Sequence, residues 1–309
     1  MKAQTNPWPW VAATLIAQTG WGAYPVLARY LQTVSDLPSM SLVAMGNLLA
    51  LLLLSFLILP NLNGRALRSP ALWLFVLIVV GRGLSNFLAP RFTLSIYVQL
   101  ITQMTPFIVA VLSTAVFHEH LPRYTGRAIV LCFIGAGLMM SGSFSGDNAA
   151  GGFTSSDWLG VGLATVSAFL LALYMIAVRR TARHHINGET LLFAQLLALG
   201  LSGLVLSFIT GEDWSQWANN SPKDWLVFAA LVIGVFAASN ILQIGAIRHL
   251  GSALVSSTMA WRLISALVLA ALLLDERLTS LWQLMGTVLV LVTITWYLRQ
   301  QTGSYTMKG

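Results

Sequence analysis

Two arginines stand in stretches that otherwise read as hydrocarbon. Arg82 lies in "LWLFVLIVVGRGLSNFLA" and Arg262 in "MAWRLISALVLAALLLDE". An arginine at bilayer mid-depth costs between ~2.5 and ~17 kcal/mol depending on the method of measurement, so it turns toward protein or water rather than lipid. Each has polar company on its own side of the helix. Ser85 and Asn86 lie three and four residues after Arg82, while Thr258 and Ser265 lie four before and three after Arg262, spacings that share one helical face. No acid lies near mid-depth to neutralise either cation. A guanidinium fork suits a carboxylate or phosphate, so the pair reads as the electrostatic half of a site for an anionic ligand, facing a wet cavity. The competing reading is that each arginine caps helix carbonyls or braces two helices.

The other candidate ligands are neutral. Trp21 and Trp261 are the two tryptophans placed deep in apolar stretches, where a ring stacks on a substrate, stacks on an arginine plane or simply packs. The remaining nine lie near the ends of such stretches and suit interfacial anchoring. Gln99, Gln103 and Pro106 share one helical face, as do Asn240 and Gln243; Gln18, Asn47, Asn86 and Gln195 are further polar groups at depth. Such side chains bind substrate or bridge helices, the latter worth ~0.6 kcal/mol each. Tyr24 and Pro25 mark a bend one turn beyond Trp21, a hinge or a fit to neighbours. The "HEH" at His118 to His120 is not a metal site, because imidazoles two residues apart diverge on a helix.

Ten elements are expected to position these residues. Of 309 residues 57% are hydrophobic and 9% charged, against about 25% charged in an ordinary soluble domain. Apolar runs of about 17 to 25 residues, long enough to span a bilayer as helices, recur from end to end. The expected spans are Trp10 to Leu31, Ser39 to Leu59, Leu72 to Leu88, Ser95 to Val116, Gly126 to Ser141, Trp158 to Val178, Thr190 to Phe208, Trp225 to Ile247, Ala253 to Leu274 and Leu281 to Leu298. Continuous runs rather than alternating segments predict an all-α integral membrane protein, not a barrel. The opening "MKAQTNPWPW" lacks a cleavage site, so the first span is read as retained. Cys132, the single cysteine, forms no intramolecular disulfide.

Charge gives an orientation. With the amino terminus in the cytoplasm, eleven Lys and Arg fall on the cytoplasmic side and four on the other, which holds eight of the ten acids, as the positive-inside rule requires. Both termini are then cytoplasmic, and an inner-membrane location is expected. The net charge of +7 follows from topology and an anionic inner leaflet, not from nucleic-acid binding. The Gly/Ser-rich "SGSFSGDNAAGGFTSSD" separates five spans from five. A shift of about 150 to 157 residues lays Tyr24 and Arg29 on Tyr174 and Arg179, Ser85 and Asn86 on Ser239 and Asn240, and Glu119 on Glu276. Five is odd, so a duplicated half enters the membrane from the opposite side. The expected domains are residues 1–141 and 158–299 as two inverted five-helix repeats, a linker over 142–157 and a tail over 300–309.

An aromatic "GWGAYPVLARY" in the first span, "TPFIVAVLSTAVFHEHL" closing the fourth and "ISALVLAALLLDERL" closing the ninth resemble the drug/metabolite transporter superfamily, EamA type. The resemblance implies an alternating-access carrier whose central cavity is lined by helices one to four and six to nine. Leu263 stands where that family often has a second proline. Organic-phosphate carriers of the same superfamily carry basic residues in the ninth helix, and "TMAWRLIS" is similar to that segment.

The expected function is secondary transport of a small polar or anionic metabolite across the bilayer, by a monomer or homodimer. An organic-phosphate exchanger and a channel or scaffold are the alternatives. No nucleotide-binding loop is present to drive transport, all five histidines lie outside the spans, and no cofactor, metal or enzymatic activity is expected. The candidate binding residues are Arg262, Arg82, Trp261, Trp21, Tyr24, Asn86, Gln99, Gln103, Asn240 and Gln243. Glu119, Glu276, Pro25 and Pro106 are expected to gate or brace.

Overall fold

A computed structural model of the chain describes residues 8–117, 124–144, 154–183, 186–250, 255, 258–276, 278 and 280–306. Among these the regular structure is helical throughout, with no strand. The main elements are α1 (Trp8–Thr33), α2 (Ser39–Ile58), α3 (Pro70–Phe92), α4 (Ser95–Thr102), α5 (Thr105–Phe117), α6 (Thr125–Phe144), α7 (Ser155–Arg183) and α8 (Gly188–Ile209). They continue with α9 (Pro222–Ala229), a π-helical segment (Ala230–Ser239), α10 (Asn240–Leu250), α11 (Ala260–Leu273) and α12 (Leu281–Thr306). Six apolar stretches are long enough to cross a membrane: Ser39–Asn61, Pro70–Phe92, Ser95–Leu112, Ser155–Val178, Gly188–Ile209 and Pro222–Leu250. Shorter apolar helices cover Thr125–Met139, Ala260–Leu273 and Leu281–Tyr297. α1 is 26 residues long but carries Gln18, Thr19, Tyr24 and Arg29 along its length.

Two expected spans are not simple α-helices. The fourth breaks between α4 and α5, and Pro106 is the cause: it has no N–H to offer the carbonyl four residues back and its ring crowds that group. The deprived carbonyl belongs to Thr102, the last residue of α4. It is satisfied instead by the Thr105 hydroxyl at 2.7 Å, and Pro106 sits in the first turn of α5, where proline is tolerated. In the eighth span the helix widens to π over Ala230–Ser239. There the Ser239 hydroxyl donates to the Gly234 carbonyl five residues back at 2.6 Å. By contrast, α1 runs through Pro25 unbroken.

Packing pairs α2 with α8, α6 with α12, α3 with α7, α1 with both the π segment and α10, α1 with α11, and α4 and α5 with α7. Let α1 exchange with α7, α2 with α8, α3 with the α9–π–α10 run, α4–α5 with α11, and α6 with α12. The pattern then maps onto itself. The α2–α8 and α6–α12 contacts are their own images, α3–α7 becomes α1 on the π–α10 run, and α4–α5 on α7 becomes α1 on α11. α1 lies at the centre because it is small where it must be. A Cβ on Gly22 would stand 1.9 Å from Ser265 Oγ and 2.5 Å from the Arg262 carbonyl oxygen, and one on Gly20 would stand 2.0 Å from Ser239 Oγ. Such close approach is the ordinary use of small residues between membrane helices. Large apolar side chains such as Phe56, Leu77, Phe208 and Leu272 remain exposed on the perimeter, where lipid is the solvent.

One end of the bundle is tied by polar contacts. Arg29, near the end of α1, pairs with Glu276 at 2.8 Å and donates to the carbonyls of Pro90, at 2.8 Å, and Thr93. Glu276 also accepts from the hydroxyl of Ser95 at 2.6 Å and from its N–H at 3.4 Å, so its charge rests at the N-terminus of α4, where a helix dipole favours it. A left-handed residue, Asp275 with φ 53°, turns the chain after α11 so that the Glu276 N–H reaches back to the Ala270 carbonyl at 3.2 Å. On the same end Glu212 accepts from the N–H groups of Met40 and Ser41 at the start of α2, at 2.8 and 2.7 Å.

Candidate substrate site

Midway along the helices α1, α2, α3, α8 and the π–α10 run surround a narrow cleft in which about 30 Å³ is open to a water-sized sphere. Arg82 reaches it from α3 with Asn86 one turn on, Trp21 and Tyr24 from α1, Asn47 from α2, Gln195 from α8, and Phe236 and Asn240 from the eighth span. The aromatic residues also hold one another. Tyr24 lies 5.8 Å from Trp21, 6.0 Å from Phe87 and 6.1 Å from Phe236, centroid to centroid, separations at which ring pairs attract.

The two arginines have different surroundings. The Arg82 guanidinium carbon lies 4.6 Å from the centroid of the Tyr174 ring and 4.9 Å from that of Trp21. Each such contact is worth about 2 kcal/mol or somewhat more when desolvated, against a burial penalty of several kcal/mol for an ion. Arg82 also has the Tyr174 side chain as a hydrogen-bond partner, but no carboxylate among the described residues neutralises it, so its charge stays open to an anion. Arg262, 2% exposed, does not line the cleft. Its Nε donates to Gln18 Oε1 and its Nη2 to Gln243 Oε1 at 3.0 Å, and its guanidinium carbon lies 5.8 Å from the Trp21 centroid. Gln18 is oriented in turn by donating to the Val255 carbonyl and the Thr258 hydroxyl, both at 3.2 Å. Neither arginine forms an ion pair with any described residue.

Of the two arginines expected to face a wet cavity, Arg82 lines the cleft and Arg262 does not. The polar face predicted around Arg262 is consumed internally: Ser265 donates to the Arg262 carbonyl at 3.0 Å and Thr258 to that of Val255 at 2.8 Å. Trp261 is also corrected. Neighbouring residues on a helix point ~100° apart, so with Arg262 turned inward Trp261 turns out; it is 45% exposed and its indole N–H donates to Thr19 at 2.8 Å. Gln103 bridges to the Met259 carbonyl at 2.9 Å, Gln99 is buried away from the cleft, and Gln243 is spent on Arg262. Trp21, Tyr24, Asn86 and Asn240 line the cleft with Arg82.

Phe87, Phe236 and Tyr174 were not among the candidates, and Asn47 and Gln195 were noted only as polar groups at depth that bind substrate or bridge helices. For Tyr174 a signal existed, since the half-to-half shift matches it to Tyr24, and the same shift matches Asn86 to Asn240. Phe87 and Phe236 look like any core residue in sequence. Glu119 and the histidines at 118, 120, 184 and 185 lie outside the described residues. Among the described residues no group of His, Cys, Asp and Glu could hold a metal ion.

The sequence model of the EamA-like transporter family matches residues 8–141 and again residues 158–299. A solved protein crystal structure, 20% identical, superposes with a TM-score of 0.63 over 94% of this chain and 99% of its own, which shows a shared fold. No curated protein is similar enough to be matched to it. With a buried cation beside a mid-bundle cleft, apolar helices of membrane-crossing length, and the family pattern found twice over nearly the whole chain, this protein belongs to the EamA-like transporter family of the drug/metabolite transporter superfamily.

Proposed function

We propose that this transporter moves a small polar or anionic metabolite, such as an amino acid or another carboxylate, by alternating access. The observation that carries the reading is Arg82: a buried guanidinium beside the cleft, held by aromatic faces and paired with no carboxylate among the described residues. In this reading Arg82 binds the anionic group of the substrate, Trp21 and Tyr24 form the wall, and Asn86 and Asn240 contribute polar contacts. Arg262 adds a second positive charge from behind Trp21 without touching the substrate.

Ten crossings in two inverted repeats, residues 1–141 and 158–299 joined by the linker 142–157, account for the exchange symmetry of the packing and for the surplus of Lys and Arg on one side. Both termini then lie in the cytoplasm of an inner membrane. The Arg29–Glu276–Ser95 contact closes the outer end, the role of Glu276 being that of a latch. Pro106 supplies the break at which the fourth span flexes, and Pro25 leaves α1 one hydrogen bond short at the same depth as the cleft.

The test is binding of carboxylates to the purified protein in lipid nanodiscs, by calorimetry. Arg82→Ala is expected to weaken binding at least about tenfold, the scale of losing one charge-assisted hydrogen bond. A folded Arg82→Ala protein with unchanged affinity would overturn the assignment.

A further inference from the structure

Three buried polar atoms around the cleft lack a partner, and with the Arg82 charge they are sorted by type. On the α1–α3 wall Arg82 has no carboxylate among the described residues and the Trp21 Nε1–H has no acceptor. On the α2–α8 wall Asn47 Oδ1 and Gln195 Oε1 have no donor. Asn47 and Gln195 are each 2% exposed and both line the cleft. Buried polar atoms are nearly always paired, so a cluster of exceptions asks for a ligand or ordered water.

The orientation of both amides is dictated by backbone. Asn47 Nδ2 donates to the Val43 carbonyl at 2.8 Å; of the two ends of the amide only the NH2 can meet a carbonyl, so Oδ1 is the free end. Gln195 is set through a neighbour. Asn240 Nδ2 donates to the Phe236 carbonyl at 2.9 Å, which turns Asn240 Oδ1 to accept from Gln195 Nε2 at 2.6 Å and leaves Gln195 Oε1 unused. Among the unpaired buried groups and the Arg82 charge, donors thus lie on one wall and acceptors on the other.

Charge chooses among the ligands that fit. The Arg82 and Arg262 guanidinium carbons lie 4.9 and 5.8 Å from the same indole centroid with no carboxylate beside them. An ammonium would add a third positive charge to this low-dielectric site and be repelled. A second carboxylate would set anionic oxygens against Asn47 Oδ1 and Gln195 Oε1. A neutral N–H or O–H meets both amide oxygens with neither conflict.

We infer that Asn47 and Gln195 are specificity-determining residues that select a monoanion carrying a neutral hydrogen-bond donor, a carboxamide or hydroxyl, at the end away from Arg82. This rests on Arg82 as the anion ligand and narrows the proposed class to such carboxylates, against dicarboxylates and ω-ammonium acids.

The experiment compares matched probes on the full-length protein in nanodiscs: succinamate, succinate and 4-aminobutyrate, with glutaramate, glutarate and 5-aminopentanoate one carbon longer. The carboxamide is expected to bind at least about tenfold tighter than its two partners, as a site with buried polar groups rejects analogues that leave them unpaired. Asn47→Leu and Gln195→Met, checked for folding by thermal melting, should level the ranking while weak carboxylate binding persists. Asn47→Asp should shift preference toward the ω-ammonium acids. A flat ranking in the wild type means the amide oxygens are met by water and overturns the inference. So does a ranking that survives in both folded amide variants, or an absence of binding by all six probes. If binding is flat but lost in Arg82→Ala, only this inference falls. If Arg82→Ala leaves binding unchanged, the anion site falls with it.

Discussion

Arg82 and Arg262 are the same residue type at similar depth, yet one meets aromatic faces beside a cleft and the other is bonded to two amide oxygens. Their substitutions should separate accordingly. Arg262→Met strands Gln18 Oε1 and Gln243 Oε1, each costing ~1–3 kcal/mol as an unsatisfied buried group. A lower melting temperature is therefore expected, with substrate affinity changed by less than about threefold. If Arg262→Met instead abolished binding in a folded protein, the two arginines would have to act together on the ligand. Both positions were legible in sequence, since an uncompensated arginine within an apolar run stands out. Their division of labour was not. It depends on which residues of α1, α7 and the eighth span face each of them, and those neighbours lie on other helices. Trp261 shows the same limit, because one residue of offset rotates it ~100° away from its neighbour's direction.

At the scale of elements, the break between α4 and α5 and the close seat of α1 carry the consequences. Pro106→Ala restores an N–H for the Thr102 carbonyl and removes the ring that crowds it, so α4 and α5 should merge into one helix. Substrate affinity is expected to persist while the transport rate falls, which uptake into proteoliposomes alongside equilibrium binding would separate; an unaltered rate would show the break to be structural only. Gly22→Ala puts a Cβ 2.5 Å from the Arg262 carbonyl oxygen, a backbone atom that cannot rotate aside. Overpacking of this kind costs ~1–3 kcal/mol, readable as a drop in thermal stability. Wild-type stability would mean that α1 and α11 slide apart easily. The fourth span was expected to run unbroken from Ser95 to Val116, although a proline at 106 is a residue type that can interrupt a helix, whereas nothing local in "ALVIGVFAAS" distinguishes a π segment from an α-helix. α1 and α2 pack against it.

For the whole molecule, the question is whether the polar closure at one end opens in the cycle. Glu276 ties α1, α4 and the end of α11 together through Arg29 and Ser95. In a Cys132→Ser background, a cysteine replacing Thr93, which is 1% exposed, should be modified slowly by a membrane-impermeant thiol reagent. Adding Glu276→Gln should raise that rate several-fold by replacing the ion pair with the weaker contact of an arginine and a neutral amide. An unchanged rate would mean that the contact braces without gating. Labelling from the outside would also test the orientation argued from the positive-inside rule.

Composition and periodicity alone determined that the chain is a membrane-embedded helical bundle, where its apolar stretches lie, and that two permanent cations are buried without acids to match. These follow because a bilayer demands long apolar helices and penalises every charge, constraints that act on each segment separately. Only the tertiary structure decided that Arg82 rather than Arg262 borders the cleft, and that Asn47 and Gln195 turn unpaired oxygens toward it. Those outcomes arise from helix phase and from contacts between residues far apart in the chain, which local pattern does not encode.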